Sequence, residues 1–503
     1  MRFKVQTSIL AICAVFSGPA YADITNTQVW DDFRTQLQEY GYTVRATVSQ
    51  SQDTLAVQDM ILTQSLPEGD ISVSLRGNAI DFVQSGPNRV DIEFPERVEM
   101  QLDIIDGSQR DSITFEQRVQ GNGTYVQERG QELHYVYDID NYAMSIVDVE
   151  FDDPDVQNMD LGGFVTIQGL QGAMVVKSGD ITQRTTNATM DRVDFSMTFD
   201  DPSENAAFDV LVRLDGMTYA EQSNVPYGVN RTDLAPALAA GLTLTSAVTH
   251  QGLDLSVQFK DAQTNGQIAF RQGAGEWTSA ISPQSVAVQG GSQGIEFDVV
   301  APDMPIPVSG RIAGITYNLD MPIGASQDEQ SFDVAWSMQD LTVSETLWSM
   351  FDPMGSLDRG PLDLALNLSG RGLLGMNLFD LEDVIDDIDP ADLGQLNSLT
   401  LNDLTIAGLG TRLVGNGAFR LDNSDTRTFD GLPRPEGRMT FTITGLNKTL
   451  DDLVNSGLVP SDQVFMGRMM MGAFLAPTGD DEMTSDLEVK PDGSVYANGQ
   501  RLR

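Results

Sequence analysis

The feature that most limits what this chain can fold into is a period-two alternation of apolar and polar residues that returns from one end to the other. Ile71, Val73 and Leu75 alternate with Ser72 and Ser74; Val90, Ile92 and Phe94 alternate with Asp91 and Glu93; Val98, Met100, Leu102 and Ile104 alternate with Glu99, Gln101 and Asp103. The pattern recurs over 193–199, 253–259, 295–299, 332–338 and 362–368. Successive side chains of a strand point to opposite faces, so each run predicts an antiparallel strand with one dry and one wet face. Asp106-Gly107, Gly121-Asn122-Gly123, Asn265-Gly266 and Lys490-Pro491-Asp492-Gly493-Ser494 predict the turns, because Gly and Asn tolerate positive φ and Pro presets its own.

Helical spacing is confined to a few places. Val29, Trp30, Phe33, Leu37 and Tyr40 share one face up to Gly41; Leu378, Leu381, Ile385 and Ile388 share another up to Pro390. Leu450, Leu453 and Val454 precede Gly457, and a last apolar helix runs over 464–475 behind Pro460-Ser461. The expected fold is mainly β: extended, mostly antiparallel, curved sheets with a few short helices at seams and near the C-terminus. An N-terminal β-rich region over 23–230 and a C-terminal one over 231–503, carrying the terminal helices, are expected.

The first residues read as an export signal. Arg2 and Lys4 precede an apolar run from Val5 to Phe16, too short to span a bilayer, and Ala20-Tyr21-Ala22 offers small residues at a cleavage site. A lipoprotein signal at Cys13 would need a small residue where Ile12 stands. Cys13 is the only cysteine, so a chain processed after Ala22 has no disulfide, thiolate nucleophile or Cys-ligated zinc. The periplasm, or another exported location in a Gram-negative envelope, is expected, with no membrane-spanning segment after cleavage.

Charge excludes one partner class. The net charge is −43, and −45 without Arg2 and Lys4, with no basic patch, so nucleic acid is not an expected partner.

Candidate chemistry is sparse. Gly290-Gly291-Ser292-Gln293-Gly294 has nucleophile-elbow spacing, but a strand rather than a helix follows, which predicts a glycine-rich hairpin tip. His134 and His250 lack metal-ligand spacing and read as strand residues. Asp380, Glu382, Asp383, Asp386, Asp387, Asp389 and Asp392 lack the calcium-loop pattern and read as a solvated helix face. Phe465, Met469, Met470 and Phe474, with Met466 and Met471, have two readings: helix core, or the lining of an apolar groove. No cofactor is implied.

Three segments carry a family likeness: 399–419, Phe429-Asp430-Gly431-Leu432-Pro433-Arg434-Pro435-Glu436-Gly437, and Gly493-Ser494-Val495-Tyr496-Ala497-Asn498-Gly499-Gln500. On these the chain resembles the bacterial envelope family known as domain of unknown function 2125, across most of its length. More faintly, 437–446 and the helix around Leu450 and Val454 resemble AsmA-like envelope proteins. That second likeness implies long sheets folded around a lipid-holding groove, although no membrane anchor is present beyond a cleavable signal. Neither likeness implies catalytic residues. The expected function is therefore non-enzymatic: an envelope component holding a lipid or other apolar ligand, or alternatively a structural or protein-binding scaffold with an envelope partner. An outer-membrane barrel would share the alternation but calls for aromatic girdles, and aromatics are only 7% here.

The export reading predicts that protein recovered from the envelope fraction has the intact mass of a chain beginning at Asp23. A retained Met1, or a lipid on Cys13, would contradict it.

Overall fold

The computed structural model describes residues 24–65, 71–153, 159–261, 264–301, 304, 306–383 and 390–503, so the expected export signal lies outside the described residues. Helix α1 (Asn26–Glu39) opens the chain, and eleven strands follow: β1 (Thr43–Ser51), β2 (Thr54–Ser65), β3 (Ile71–Gly86), β4 (Arg89–Glu93), β5 (Arg97–Asp106), β6 (Gln109–Asn122), β7 (Tyr125–Arg129), β8 (Glu132–Glu150), β9 (Asp160–Lys177), β10 (Ile181–Asp201) and β11 (Ala206–Pro226). Then come α2 (Leu234–Ala239), β12 (Thr243–His250), β13 (Gly252–Lys260), β14 (Asn265–Gln272), β15 (Gly275–Ile281), β16 (Ser285–Val300), β17 (Val308–Pro322) and β18 (Gln330–Val343). The chain closes with α3 (Glu345–Phe351), β19 (Leu362–Leu374), a 3-10 turn (Leu378–Asp383), α4 (Pro390–Leu393), β20 (Gly394–Gly408), β21 (Thr411–Asp422), β22 (Arg434–Thr444), α5 (Leu446–Asn455), α6 (Ser461–Met471), β23 (Ala476–Gly479), β24 (Glu482–Val489), β25 (Val495–Ala497) and β26 (Gln500–Arg501).

All the strands pair antiparallel in one sheet, mostly each with the next in sequence. In two places a pair of short strands, end to end, fills the position of one long strand. The first lies between β3 and β8, where β4 and β7 continue β5 and β6; the second lies between β11 and β16, where β12 and β15 continue β13 and β14. The sheet runs unbroken across residue 230, since β11 pairs with both β12 and β13.

A line of irregularities crosses the sheet, and it decides which side of each strand is dry. In β9 the apolar residues are Val165 and Ile167 before Gly169, but Leu170 and Met174 after it. The phase of alternation shifts in the same way at Asp140 in β8, Asp191 in β10 and Gly216 in β11, residues that register across from Gly169 and from one another. Gly169 and Gly216 have φ of +63° and +60°, the left-handed region that L side chains rarely adopt. A β-carbon on Gly169 would overlap the Asp191 carboxylate. Each irregularity adds one residue to its strand, as a β-bulge does, and returns the next apolar side chain to the same face; because the neighbouring strands add theirs at the same level, the register runs on without a shift. Gly294 in β16 (φ +61°) and Asp340 in β18 (φ +52°) continue the line.

The main core lies under α1. A capping box between Thr25 and Gln28 starts this helix, and Gly41 at φ +84° follows its end. Val29 and Trp30 are buried against Leu55, Val57, Ile80, Phe82, Val90, Val126, Tyr135 and Val176. The Trp30 ring centroid lies 6.0 Å from that of Phe82. The Tyr135 hydroxyl donates to Asp32, and Arg184 Nη2 donates to Glu39 Oε1 at 3.0 Å, so α1 is tied down by groups that would otherwise be buried unpaired.

Several expected turns are placed differently. Gly121-Asn122-Gly123 is a kink between β6 and β7, both of which lie on β8, and the hairpin tip is Gly130-Gln131. Asn265 and Gly266 open β14, paired with Lys260 and Phe259 of β13, so they lie in the strand rather than at the turn. Gly290–Gly294 is interior to β16: Gly290 makes room for a neighbouring ring, since a β-carbon there would stand 2.5 Å from Tyr317 Oη, and Gly294 takes the positive φ of the irregular line. The 490–494 hairpin is as expected, with Gly493 at φ +78°. Of the helix expected over 378–390, the described part is the 3-10 turn and 384–389 lie outside the described residues.

Substituting Gly169→Val should lower stability to urea by at least about 2 kcal/mol, since it forces a branched side chain to positive φ. Gly86→Val, with no atom within 4 Å of its β-carbon position, should change it by less than about 0.5 kcal/mol.

Candidate functional site

Because directly paired residues of antiparallel strands share a face, the register defines rows of side chains across the sheet. One row reads Tyr137, Gly172, Ala188, Tyr219, Val248, Trp277, Gly290, Tyr317, Trp336, Leu366, Leu404, Gly415 and Phe441 from β8 to β22. On the other side of the bulge line a second row reads Met144, Val165, Phe195, Val212, Leu255, Phe270 and Phe297. A cavity of about 290 Å³ takes Tyr137, Ile139 and Leu170 from one side of the line and Val119, Tyr142 and Ile167 from the other, which places both rows on the same face.

This inner face is apolar almost throughout, and most of it is uncovered. Phe195, Met197, Ile268, Trp277, Tyr317, Trp336, Leu366 and Ile406 all point into it, and each is 36% to 46% exposed. Among the described residues of β12 to β22, the apolar side chains that are buried are Ile295 and Leu401. Rings lie flat over glycines of the neighbouring strand: a β-carbon on Gly310 would meet Phe297 Cζ at 2.6 Å, and one on Gly415 would meet Phe441 Cδ1 at 2.5 Å. The rings keep a low profile and leave the face accessible.

The opposite face is polar. Asp194, Arg213, Asp254, Arg271, Glu296 and Arg311 register across six strands with alternating sign. Arg213–Asp194 (2.8 Å), Arg271–Asp254 (3.2 Å) and Arg311–Glu296 (3.0 Å) are ion pairs within it. Each exposed pair contributes only tenths of a kcal/mol up to about 1, but together they oppose a register slip, which would bring like charges together.

One end of the inner face is closed. Take as the lower rim the strand ends that include 177–181, 226–243, 281–285, 322–330, 374–383 and 390–394. There Ala237 and Leu238 of α2 are buried, and α2 comes within 8 Å of the 3-10 turn, Cα to Cα. The connection bearing α2 leads into β12 and that bearing the 3-10 turn leaves β19, strands five steps, or about 24 Å, apart along the sheet, and the two meet on its apolar side, where α2 packs on Val225 and Leu242. Arg231 bonds Glu221 at 2.9 Å, and its backbone N–H donates to the Glu39 carbonyl at 2.7 Å, linking α2's approach to the end of α1. Burial alone would raise Glu221, but the Tyr219 hydroxyl and Arg231 outweigh it and hold the carboxyl below its usual range. A second apolar cavity, of about 250 Å³, lies at this rim between Met321, Phe332, Leu374, Leu378 and Leu396.

Of the residues singled out in the sequence, His250 and Ser292 lie on the inner face and the other described ones fall elsewhere. Phe465, Met469, Met470 and Phe474 sit at the outer surface of α6 and just beyond it, 48% to 68% exposed, so they do not form a helix core; Val464 is the buried residue of that helix. His134 faces the polar side, 3.3 Å from Glu132. His250 lies on the inner face beside Gln272 at 3.0 Å, and burial lowers its pKa. Ser292 is mid-strand, with no helix behind it, so it is not a nucleophile elbow. Asp386, Asp387 and Asp389 lie outside the described residues. Among the described residues, no helix is long and apolar enough to cross a membrane, which leaves strand-borne crossing unaddressed.

In comparison with known proteins, a family described as an uncharacterized protein conserved in bacteria, DUF2125, matches residues 241–502, beginning beside β12. This is narrower than the likeness over most of the chain expected from the sequence. No curated protein and no solved structure matches the chain.

Burial, then the nearby Asp32, push the Tyr137 hydroxyl from 10.0 up to about 12. The unfolded chain releases this proton near pH 10 while the folded chain keeps it, so stability should fall as pH rises from 10 towards 12, by up to about 3 kcal/mol from this group. Urea midpoints measured against pH should show the loss, and Tyr137→Phe should show a shallower one.

Proposed function

The chain belongs to the DUF2125 family of bacterial proteins, and from that premise we propose that it is an exported envelope protein that works by binding, holding an apolar ligand such as a lipid acyl chain on the inner face of its sheet. What supports this reading is the uncovered inner face. A single sheet leaves Trp277, Tyr317, Trp336, Leu366 and Ile406, which lie on neighbouring strands, with over a third of their surface open, and contiguous exposed apolar surface of this kind marks binding sites. A second sheet packed about 10 Å away would have buried them. The face has the character of small-molecule sites, mostly apolar and aromatic with few polar groups, and it is long: twelve strand steps from β8 to β22 come to about 58 Å.

The apolar character also favours binding over chemistry. In the row from Tyr137 to Phe441 there is no charged residue, and His250 and Ser292 stand apart in the next row with Gly275 between them. Burying a chain is worth about 0.8 kcal/mol per methylene, so a partly enclosed acyl tail would survive gentle purification.

Native mass spectrometry of protein extracted mildly from its own envelope should show adducts of lipid mass. A brominated fatty acid should quench Trp277 and Trp336, which lie on the face, and spare Trp30, which α1 buries against the sheet. Trp336→Asp or Leu366→Asp should weaken uptake about tenfold or more. Adduct-free protein without quenching, recovered with a specific protein partner, would replace this reading with the scaffold.

A further inference from the structure

The helices at the two rims differ in how much apolar surface they cover. At the lower rim Val29 and Trp30 of α1 and Ala237 and Leu238 of α2 are buried, and Leu234 of α2 is the large apolar side chain of these two helices left exposed. At the upper rim, where β18 leads to β19 and β22 leads to β24, large apolar side chains are left outside. Around α3, Met350, Phe351 and Met354 are 49% to 69% exposed. On α6, Phe465, Met466, Met469 and Met470 form a stripe at helical spacing that Phe474 extends. Asp462 bounds this stripe at its N-terminal end, and no charge stands within it: Arg468 turns back onto α5, bonding Asn447 O and Asp451 Oδ1, each at 2.8 Å. The two patches come from separate connections, and the strands bearing them are three steps, or about 15 Å, apart on one rim.

We infer that this upper rim is a bilayer-docking surface, at which Met and Phe side chains of α3 and α6 enter the surface of a membrane bearing no net charge. Three observations select that occupant. The side chains project from helices rather than lining a fitted pocket, and fluid hydrocarbon accepts such a surface without the shape complementarity that a protein partner needs. The chain's charge of −43 with no basic patch rules out attraction to an anionic surface, leaving apolar insertion as the driving force. At the lower end of the inner face α2, the 3-10 turn and the paired Glu221 and Arg231 stand in the way, so of the two rims the one that carries the patches gives an acyl chain the freer passage between a bilayer and the open face. This last point rests on the ligand reading above, and the first two stand without it.

The test is co-sedimentation of the full mature chain with phosphatidylcholine vesicles. The wild type should sediment with them equally at low and high salt. F465D/M469D and, separately, M350D/M354D should each lower partitioning about tenfold or more while leaving thermal melting and uptake of a soluble fluorescent fatty acid unchanged. Wild-type chain remaining in the supernatant, or variants sedimenting as the wild type does, would overturn the proposal. So would a solution dimer that these substitutions dissociate, since a second copy would then cover the rim. If vesicle binding and its loss in the variants hold while fatty-acid uptake fails, docking stands and the ligand reading falls.

Discussion

The structure depends on one constraint: every long strand must keep the same side dry while bending. Strict alternation in a strand such as β9 or β10 would carry the apolar set to the wet face if one residue were inserted, because side chains repeat every second position. Here the insertion is made in neighbouring strands at the same level, at Asp140, Gly169, Asp191 and Gly216, and the phase of the apolar residues shifts with it. The bulge line and the sequence pattern therefore correct one another. Aligned bulges are also a means by which a sheet is curved, since each bends its strand and increases the local twist.

The other features follow from holding one broad face apolar without a second layer. The polar face carries a cross-strand series of alternating charges from Asp194 to Arg311 that fixes register without a core beneath it. On the apolar face, Phe297 and Phe441 lie over Gly310 and Gly415, so large rings add apolar surface without raising walls. Full burial is concentrated where α1 covers the sheet, and the buried pairs Glu39–Arg184 and Tyr135–Asp32 belong to that cover. The N-terminal part is thereby the best-packed region, and the long sheet beyond it presents a surface instead of a core.

Strands were legible in the sequence because alternation is local: the runs at 193–199, 253–259 and 332–338 all lie in strands. So was α1, whose apolar stripe and Gly41 stop are as the spacing predicts. What alternation alone did not disclose was the bulge line, although its trace is present as a change of phase, from Tyr135, Tyr137 and Ile139 to Tyr142, Met144 and Ile146 in a single strand. Turn signals misled at Gly121–Gly123 and Gly290–Gly294 because glycine serves three purposes: reversing the chain, allowing a bulge, or making room for a ring from the next strand. The candidate residues of α6 were recognised as apolar, but composition does not say whether an apolar helix faces in or out. That is settled by what packs beside it, and only Val464 found a covered place.

The central claim, that one face of the sheet is apolar and open along its length, is tested most directly by photolabelling with a diazirine-bearing fatty acid, followed by peptide mapping at residue resolution. The account predicts labels on inward residues of successive strands, such as Tyr317, Trp336, Leu366 and Ile406, and none on Asn318 or Asp333, which bond to one another on the polar face. Labels divided between the two faces, or absent from the sheet, would contradict it.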